Sequence, residues 1–231
     1  MNTLVSAPRR TPLTLVFAGG LGLAELSYAL APGYRRESVA AWASTNVTNL
    51  THEPLGPMLA SPFVVEEHAA MWFVLAVVAA AMIERRAGWW RALVILGTSH
   101  VAGTLVSEGI QWWRVRHGAL PASALGIDDV GVSYVAVGLL CAVLICGRWT
   151  ARLGVLAVFA VLVRSLLLGI GHLDVTAVGH LSAAIAGCMG GMWVRRGASL
   201  PGGAPEAGAG TGHIRRGRIR WFRSTRTFSQ Q

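Results

Sequence analysis

A chain of 231 residues has room for one or two soluble domains, yet only 13% of its residues are charged and 53% are hydrophobic, with 28 glycines besides. Soluble domains carry about a quarter charged residues, so the composition excludes a water-soluble globule and points to a protein embedded in lipid. The charge is one-sided: all 20 basic residues are arginine and the net charge is +9. In a soluble protein that balance would suggest nucleic acid. In a membrane protein the placement of the arginines has to be read first.

Crossing the hydrocarbon core takes roughly 20 mostly apolar residues, and six stretches come close. The first runs from about Pro12 to Ala31 and is interrupted by Glu25. The second is Phe63 to Ile83, with Glu66, Glu67 and His68 at its start. The third, Ala92 to Trp113, carries His100 and Glu108. The fourth, about Val130 to Cys146, is short and uncharged. The fifth runs from about Leu153 to Gly171 with Arg164 inside it, and the sixth from Val175 to Val194 with only His180. The predicted class is therefore an all-α, polytopic, six-span helical bundle over residues 12–194. Residues 1–11 form a short tail, and residues 195–231, rich in Gly, Pro and Arg without periodicity, read as a disordered basic tail. Cys141, Cys146 and Cys188 lie in apolar runs, a placement that suits neither a disulfide framework nor a zinc site.

Fifteen of the 20 arginines fall in the two tails and the second and fourth connections; only Arg35, Arg36, Arg114 and Arg116 fall in the other three. Glu37, Glu53, Glu66, Glu67, Asp128, Asp129 and Asp174 lie on the arginine-poor side. The positive-inside rule then places the protein in the cell membrane with both termini cytoplasmic. Arg9-Arg10, the first apolar run and Tyr28-Ala29-Leu30-Ala31 also have the shape of a cleavable signal peptide. Glu25 in its apolar core argues against that, and cleavage would leave the other spans oriented as before.

Ionisable groups inside spans are costly and mark function by default. The second, fourth and sixth spans all begin on the outer side. His68, Ser133 and His180 each fall on the order of 5–9 Å below the outer ends of those spans, at 1.5 Å per residue. On the sixth span Ala183, Gly187 and Gly191 follow one face below His180. Such small-residue stripes let helices approach closely in lipid, which would bring Ser133 to His180. An imidazole can take the hydroxyl proton as Ser attacks a carbonyl and then protonate the leaving amine. His68 would donate to the developing oxyanion. The plain reading is that the Ser bonds its own helix and that each His bonds a carbonyl across the bundle.

These residues resemble the rhomboid family of intramembrane serine proteases, over roughly Ser61 to Val194. Gly131-Val132-Ser133-Tyr134 is similar to the family's Gly-x-Ser-Gly at the outer end of its fourth span. His180 with Ala183 and Gly187 is similar to its sixth-span His followed by small residues. His68, then Glu84 and Gly88, and the start Ser61-Pro62-Phe63 resemble its second span. The resemblance implies a rhomboid-type bundle with Ser133 as nucleophile, His180 as base and His68 as oxyanion contributor. Three positions depart from the pattern. Trp72 stands where members often carry Asn, Tyr134 replaces the Gly after the nucleophile, and Trp42 is followed by Ala43 where many have Trp-Arg. Two readings follow, a divergent protease acting on transmembrane substrates or an inactive rhomboid-like protein that binds transmembrane clients.

A third reading takes His68, His100, His172 and His180 as haem or metal ligands of an electron carrier, but the outer Gly-Ser element would then have no role. No cofactor is expected. His100 and Glu108, two turns apart, are expected to make structural hydrogen bonds, and the polarity of the fifth connection accounts for His172 and Asp174. The six arginines between His213 and Arg226 are expected to meet anionic lipid or simply to set orientation, not to bind nucleic acid.

Overall fold

The computed structural model describes residues 11–65 and 68–198, and all regular structure among them is helical. In chain order the helices are α1 (Pro12–Leu30), α2 (Gly33–Ala43), α3 (Val47–His52), α4 (Leu55–Ala60), α5 (Ala69–Ala87), α6 (Trp89–Arg116), α7 (Ser133–Cys146), α8 (Trp149–Leu166) and α9 (Val175–Ala198). Short 3₁₀ turns occupy Ser61–Phe63, Ala122–Gly126 and Ile170–His172. Each of the six expected spans has a helix. Four stretches (Pro12–Leu30, Trp89–Arg116, Trp149–Leu166 and Val175–Gly197) are long and apolar enough to cross a membrane. Helix α5 ends in the charged run Glu84-Arg85-Arg86, and α7 has only 14 residues.

Three span limits shift for local reasons. The second helix begins at Ala69, not Phe63, because Ser61–Phe63 close a 3₁₀ turn and His68 is left-handed at φ 54°. There the chain turns along α1, and the Val65 N–H donates to the Glu25 carboxylate at 2.9 Å. The charge that interrupted the first apolar run is thus a backbone acceptor for the next span. Helix α8 ends at Leu166 instead of Gly171, since Gly169 takes a positive φ of 85°. Helix α9 continues past Val194 through Arg195 and Arg196, the first residues expected to be tail. The remaining tail residues, 199–231, and residues 1–10 lie outside the described residues.

Helix α7 is the core. All but three of its side chains are buried, with α5, α6, α8 and α9 packed around it. In lipid the hydrophobic effect does not drive helices together, so small residues that permit close contact decide which faces meet. The stripe on α9 meets α7 as the sequence predicts. A Cβ on Gly187 would collide with the Gly138 backbone, and one on Gly191 would press on Ala142 and Ile145. On α7 the contact residues are Gly138 and Ala142. Outward faces are apolar: Val16 is 75% exposed, Val161 79% and Met189 61%. Water would not tolerate such a belt, whereas lipid covers it at no cost.

At the end of the bundle that holds the C-terminus of α7, Glu84 closes the start of α1. Its carboxylate accepts from the N–H groups of Leu13 (2.9 Å) and Thr14 (2.8 Å) and from the Thr14 hydroxyl (2.6 Å). The first N–H groups of a helix lack internal acceptors and favour negative charge, so one buried carboxylate satisfies both needs. Arg152 does the converse for α7, donating to the Ile145 and Gly147 carbonyls at 2.8 and 2.9 Å.

At the other end, α2–α4 fill a connection with no predicted structure. The polar residues of α6 hold this layer. His100 Nε2 donates to the Met58 carbonyl at 2.9 Å, Glu108 accepts from the Val47 N–H, and Gln111 donates to Ala124 O at 3.0 Å. His100 and Glu108 therefore make the structural hydrogen bonds expected of them.

Candidate active site

Ser133 is the first residue of α7. At 14 residues that helix is about 21 Å long, short of the roughly 30 Å hydrocarbon core. His180 is the sixth residue of α9. The two meet because α7 starts lower than α9, not because they lie equally far into their helices as the sequence argument assumed. Ser133 Oγ and His180 Nε2 are 3.0 Å apart.

The other ring nitrogen fixes the direction of that hydrogen bond. His180 Nδ1 lies 3.2 Å from the Leu166 carbonyl, the last of α8. Carbonyls at a helix C-terminus lack an internal donor, and a carbonyl oxygen only accepts. The proton of a neutral imidazole is therefore assigned to Nδ1, leaving the Nε2 lone pair to accept from the Ser133 hydroxyl. Both nitrogens are engaged, so neither is free as an axial haem ligand. Among the described residues no three His, Cys, Asp or Glu side chains gather where a metal ion could be held.

Two aromatic rings set the plane of the imidazole. Trp72 on α5 stacks on His180 with centroids 6.1 Å apart and planes 26° from parallel. Tyr134 meets it edge-on at 5.4 Å and 81°. These are two of the three positions where the chain departs from the rhomboid pattern. The Tyr134 ring turns away from the Ser133 hydroxyl into a slot between α6 and α9. Gly103 and Gly179 make that slot, since a Cβ on either would run into the ring. The extra bulk after the nucleophile is thus matched by glycines elsewhere.

The Tyr134 hydroxyl donates to the Asp129 carboxylate, 3.2 Å from each oxygen. Asp129 precedes α7 and anchors the turn leading to Ser133. Its carbonyl accepts from the Thr45 N–H at 2.9 Å and the Thr45 hydroxyl at 3.0 Å, while its own N–H donates to Ser44 Oγ at 2.8 Å. Burial pushes the Asp129 carboxyl up to about 6, against the hydrogen bonds from Tyr134 and Thr45, with Asp174 adding to the rise. The Gly131 N–H donates to Ser61 O at 3.0 Å. Gly131 has φ 136°, a conformation open to glycine and strained for a side chain. These contacts explain why Ser61 and Gly131 stand out in the sequence: they join the start of the second span to the start of the fourth.

His68 stands apart. It caps α5, is exposed, and its carbonyl accepts from the Trp72 N–H at 3.1 Å. No hydrogen bond or ring contact among the described residues joins it to Ser133 or His180. It lies one turn above Trp72 on the same face of α5. His172 is exposed and Asp174 caps α9, accepting from the Ala177 N–H at 3.1 Å. Asp129, Thr45 and the Leu166 carbonyl escaped the sequence reading. A loop carboxylate and a backbone carbonyl carry no signal there.

A short central helix opening on a hydrogen-bonded Ser–His pair, among long helices with exposed apolar faces, defines a helical membrane protein. The sequence profile of the family described as rhomboid-like protein matches residues 8–198, and the chain belongs to that family. No curated protein and no solved structure matches it.

Proposed function

We propose that the protein is an intramembrane serine endopeptidase with Ser133 as nucleophile and His180 as general base and acid. The observation that carries this is the 3.0 Å contact of Ser133 Oγ with His180 Nε2, with Nδ1 held by Leu166 O. Six spans are proposed, with both termini cytoplasmic and the Ser133 end of α7 on the outer side, a reading the arginine distribution supports.

As Ser133 Oγ attacks the scissile carbonyl, its proton passes to His180 Nε2 and the carbonyl oxygen takes the negative charge. Collapse of the tetrahedral intermediate breaks the C–N bond, and His180 gives that proton to the leaving amine. Water then repeats the attack on the acyl-enzyme, again through His180, and restores Ser133. Being at the start of α7, Ser133 sits where N–H groups without helical acceptors and the positive helix end favour an oxyanion. His68, one turn above Trp72, is proposed to contribute from the other wall once a substrate segment is seated. The substrates are transmembrane proteins, and no cofactor enters the chemistry.

The second reading, an inactive rhomboid-like protein that binds transmembrane clients, draws on the crowding of His180 by Trp72 and Tyr134. The two separate in a reconstituted assay with a transmembrane reporter. Wild type should cleave it and Ser133→Ala and His180→Ala should not. Equal behaviour of all three, with reporter still co-purifying, establishes the binder.

A further inference from the structure

At the end of α7 remote from Ser133 lies a cavity of about 550 Å³ between the C-terminus of α5 and the start of α8. Arg85, Arg86 and Arg148 line it together with Thr150, Met82 and Ala151, and among the described residues no carboxylate does. All three arginines are exposed. Three guanidinium groups around one cavity without a counter-charge repel one another unless an anion joins them. Helix α8, 18 residues long, begins at Trp149 beside Arg148. Its first N–H groups add to the positive potential there.

The surroundings distinguish among anions. Met82 and Ala151 give the cavity an apolar rim. Helices α5 and α8 pack on α7 and not closely on each other. Beyond the rim both expose hydrocarbon, with Val78 52%, Leu153 52% and Leu156 49% accessible. Trp149, 71% exposed, is the kind of residue that sits at the headgroup level. A free phosphate would use the arginines and leave the rim idle. A phospholipid uses both.

We propose that this cavity binds the headgroup of an anionic phospholipid. Arg85, Arg86 and Arg148 hold the phosphate, Thr150 and the start of α8 donate further hydrogen bonds, and the acyl chains lie along α5 and α8. Guanidinium forks suit phosphate oxygens. A zwitterionic lipid would bring its own cation into an already positive site, so net negative charge is selected. This site is separate from any diffuse attraction of the basic tail, and it does not depend on catalysis.

The test compares the full-length wild type, the triple variant Arg85→Gln, Arg86→Gln, Arg148→Gln, and the tail variant Arg215→Gln, Arg216→Gln, Arg218→Gln. Each is loaded from micelles holding equal amounts of phosphatidylglycerol and phosphatidylcholine, and retained lipid is counted by native mass spectrometry. Wild type and tail variant should each keep phosphatidylglycerol in preference to phosphatidylcholine. The preference should fall about fivefold for each cavity arginine removed. If the triple variant fails to fold, Arg148→Gln alone should show the fivefold loss. Retention unchanged in the cavity variants, lost in the tail variant, or equal for both lipids overturns the proposal. In thermal melts phosphatidylglycerol should stabilise wild type and inorganic phosphate at the same concentration should not. Equal stabilisation by phosphate assigns the cavity to a free anion and overturns the lipid.

Discussion

The Ser133–His180 pair is positioned by two backbone groups, the Leu166 carbonyl and the Asp129 backbone. The first orients His180 and the second places the turn before Ser133. Asp129 also carries a pH signature. Its carboxyl is raised from the usual 3.8 to about 6, burial being the main cause, with Asp174 close by. Below about pH 4 folded and unfolded chains both hold this proton. Between there and pH 6 the unfolded chain releases it while the folded chain keeps it, so stability from this group falls as pH rises. Asp129→Asn, which keeps an acceptor for Tyr134, should therefore gain in melting temperature relative to wild type as pH goes from 4 to 7. A constant difference over that range would refute the assignment. Tyr134→Phe keeps the ring beside His180 but leaves the Asp129 carboxylate without its phenolic donor. It should cost about 1–3 kcal/mol, measured by thermal unfolding at pH 7. Ser133 and His180 stand out in the sequence as polar groups inside apolar runs, and Trp72 and Tyr134 only as departures from the rhomboid pattern. Asp129 figures there only as one acid on the arginine-poor side, and its importance arises from burial that only the fold creates.

Among the elements, the pairing of α7 with α9 was readable from the spacing of Ala183, Gly187 and Gly191, since small residues four apart share a helix face. The start of α5 was not. Hydropathy counts Phe63 to Val65 as apolar, but Ser61 and Pro62 close a turn and Val65 spends its N–H on Glu25. Helices α2–α4 were equally invisible, being short, with α3 and α4 each tied to α6 by a single hydrogen bond and the end of α2 tied by Asn49. The glycine contact gives a sharp expectation. Gly187→Ala places a methyl group against the Gly138 backbone, where neither helix can yield without parting. Overpacking of this kind costs typically about 1–3 kcal/mol, so its melting temperature should drop clearly. At Gly154 nothing lies within 4 Å of an added Cβ, so Gly154→Ala should leave the melt unchanged or raise it slightly. Glu84→Gln tests the closure of α1. It keeps the size of the side chain but removes the charge and turns one of the two acceptor oxygens into an NH2 donor facing a helix N–H; hydrogen bonds to charged groups contribute about 1.5–3 kcal/mol. Protection of the Leu13 and Thr14 amides against hydrogen exchange should fall in that variant before global unfolding does.

For the molecule as a whole, composition already excluded a soluble globule, and membership in the rhomboid-like family agrees with the helical, lipid-facing fold. The net charge of +9 resolves into local tasks. Arg152 caps α7, while Arg85, Arg86 and Arg148 gather in one cavity at the same end of the bundle. Ser133 and His180 lie at the other end, beside the acidic Asp128, Asp129 and Asp174. The proposed orientation puts the arginine end in the cytoplasm. Single cysteines introduced at Thr150 and at His172 should then react with an impermeant maleimide from outside intact cells only at His172; the reverse pattern would invert the topology. The central claim is that Ser133 is a nucleophile activated by His180, and it can be tested without knowing any substrate. A fluorophosphonate probe added to the purified, reconstituted protein should modify Ser133, located by mass spectrometry, in the wild type and not in His180→Ala. Absence of the adduct on the folded wild type, or equal labelling of Ser133 without His180, would contradict the account.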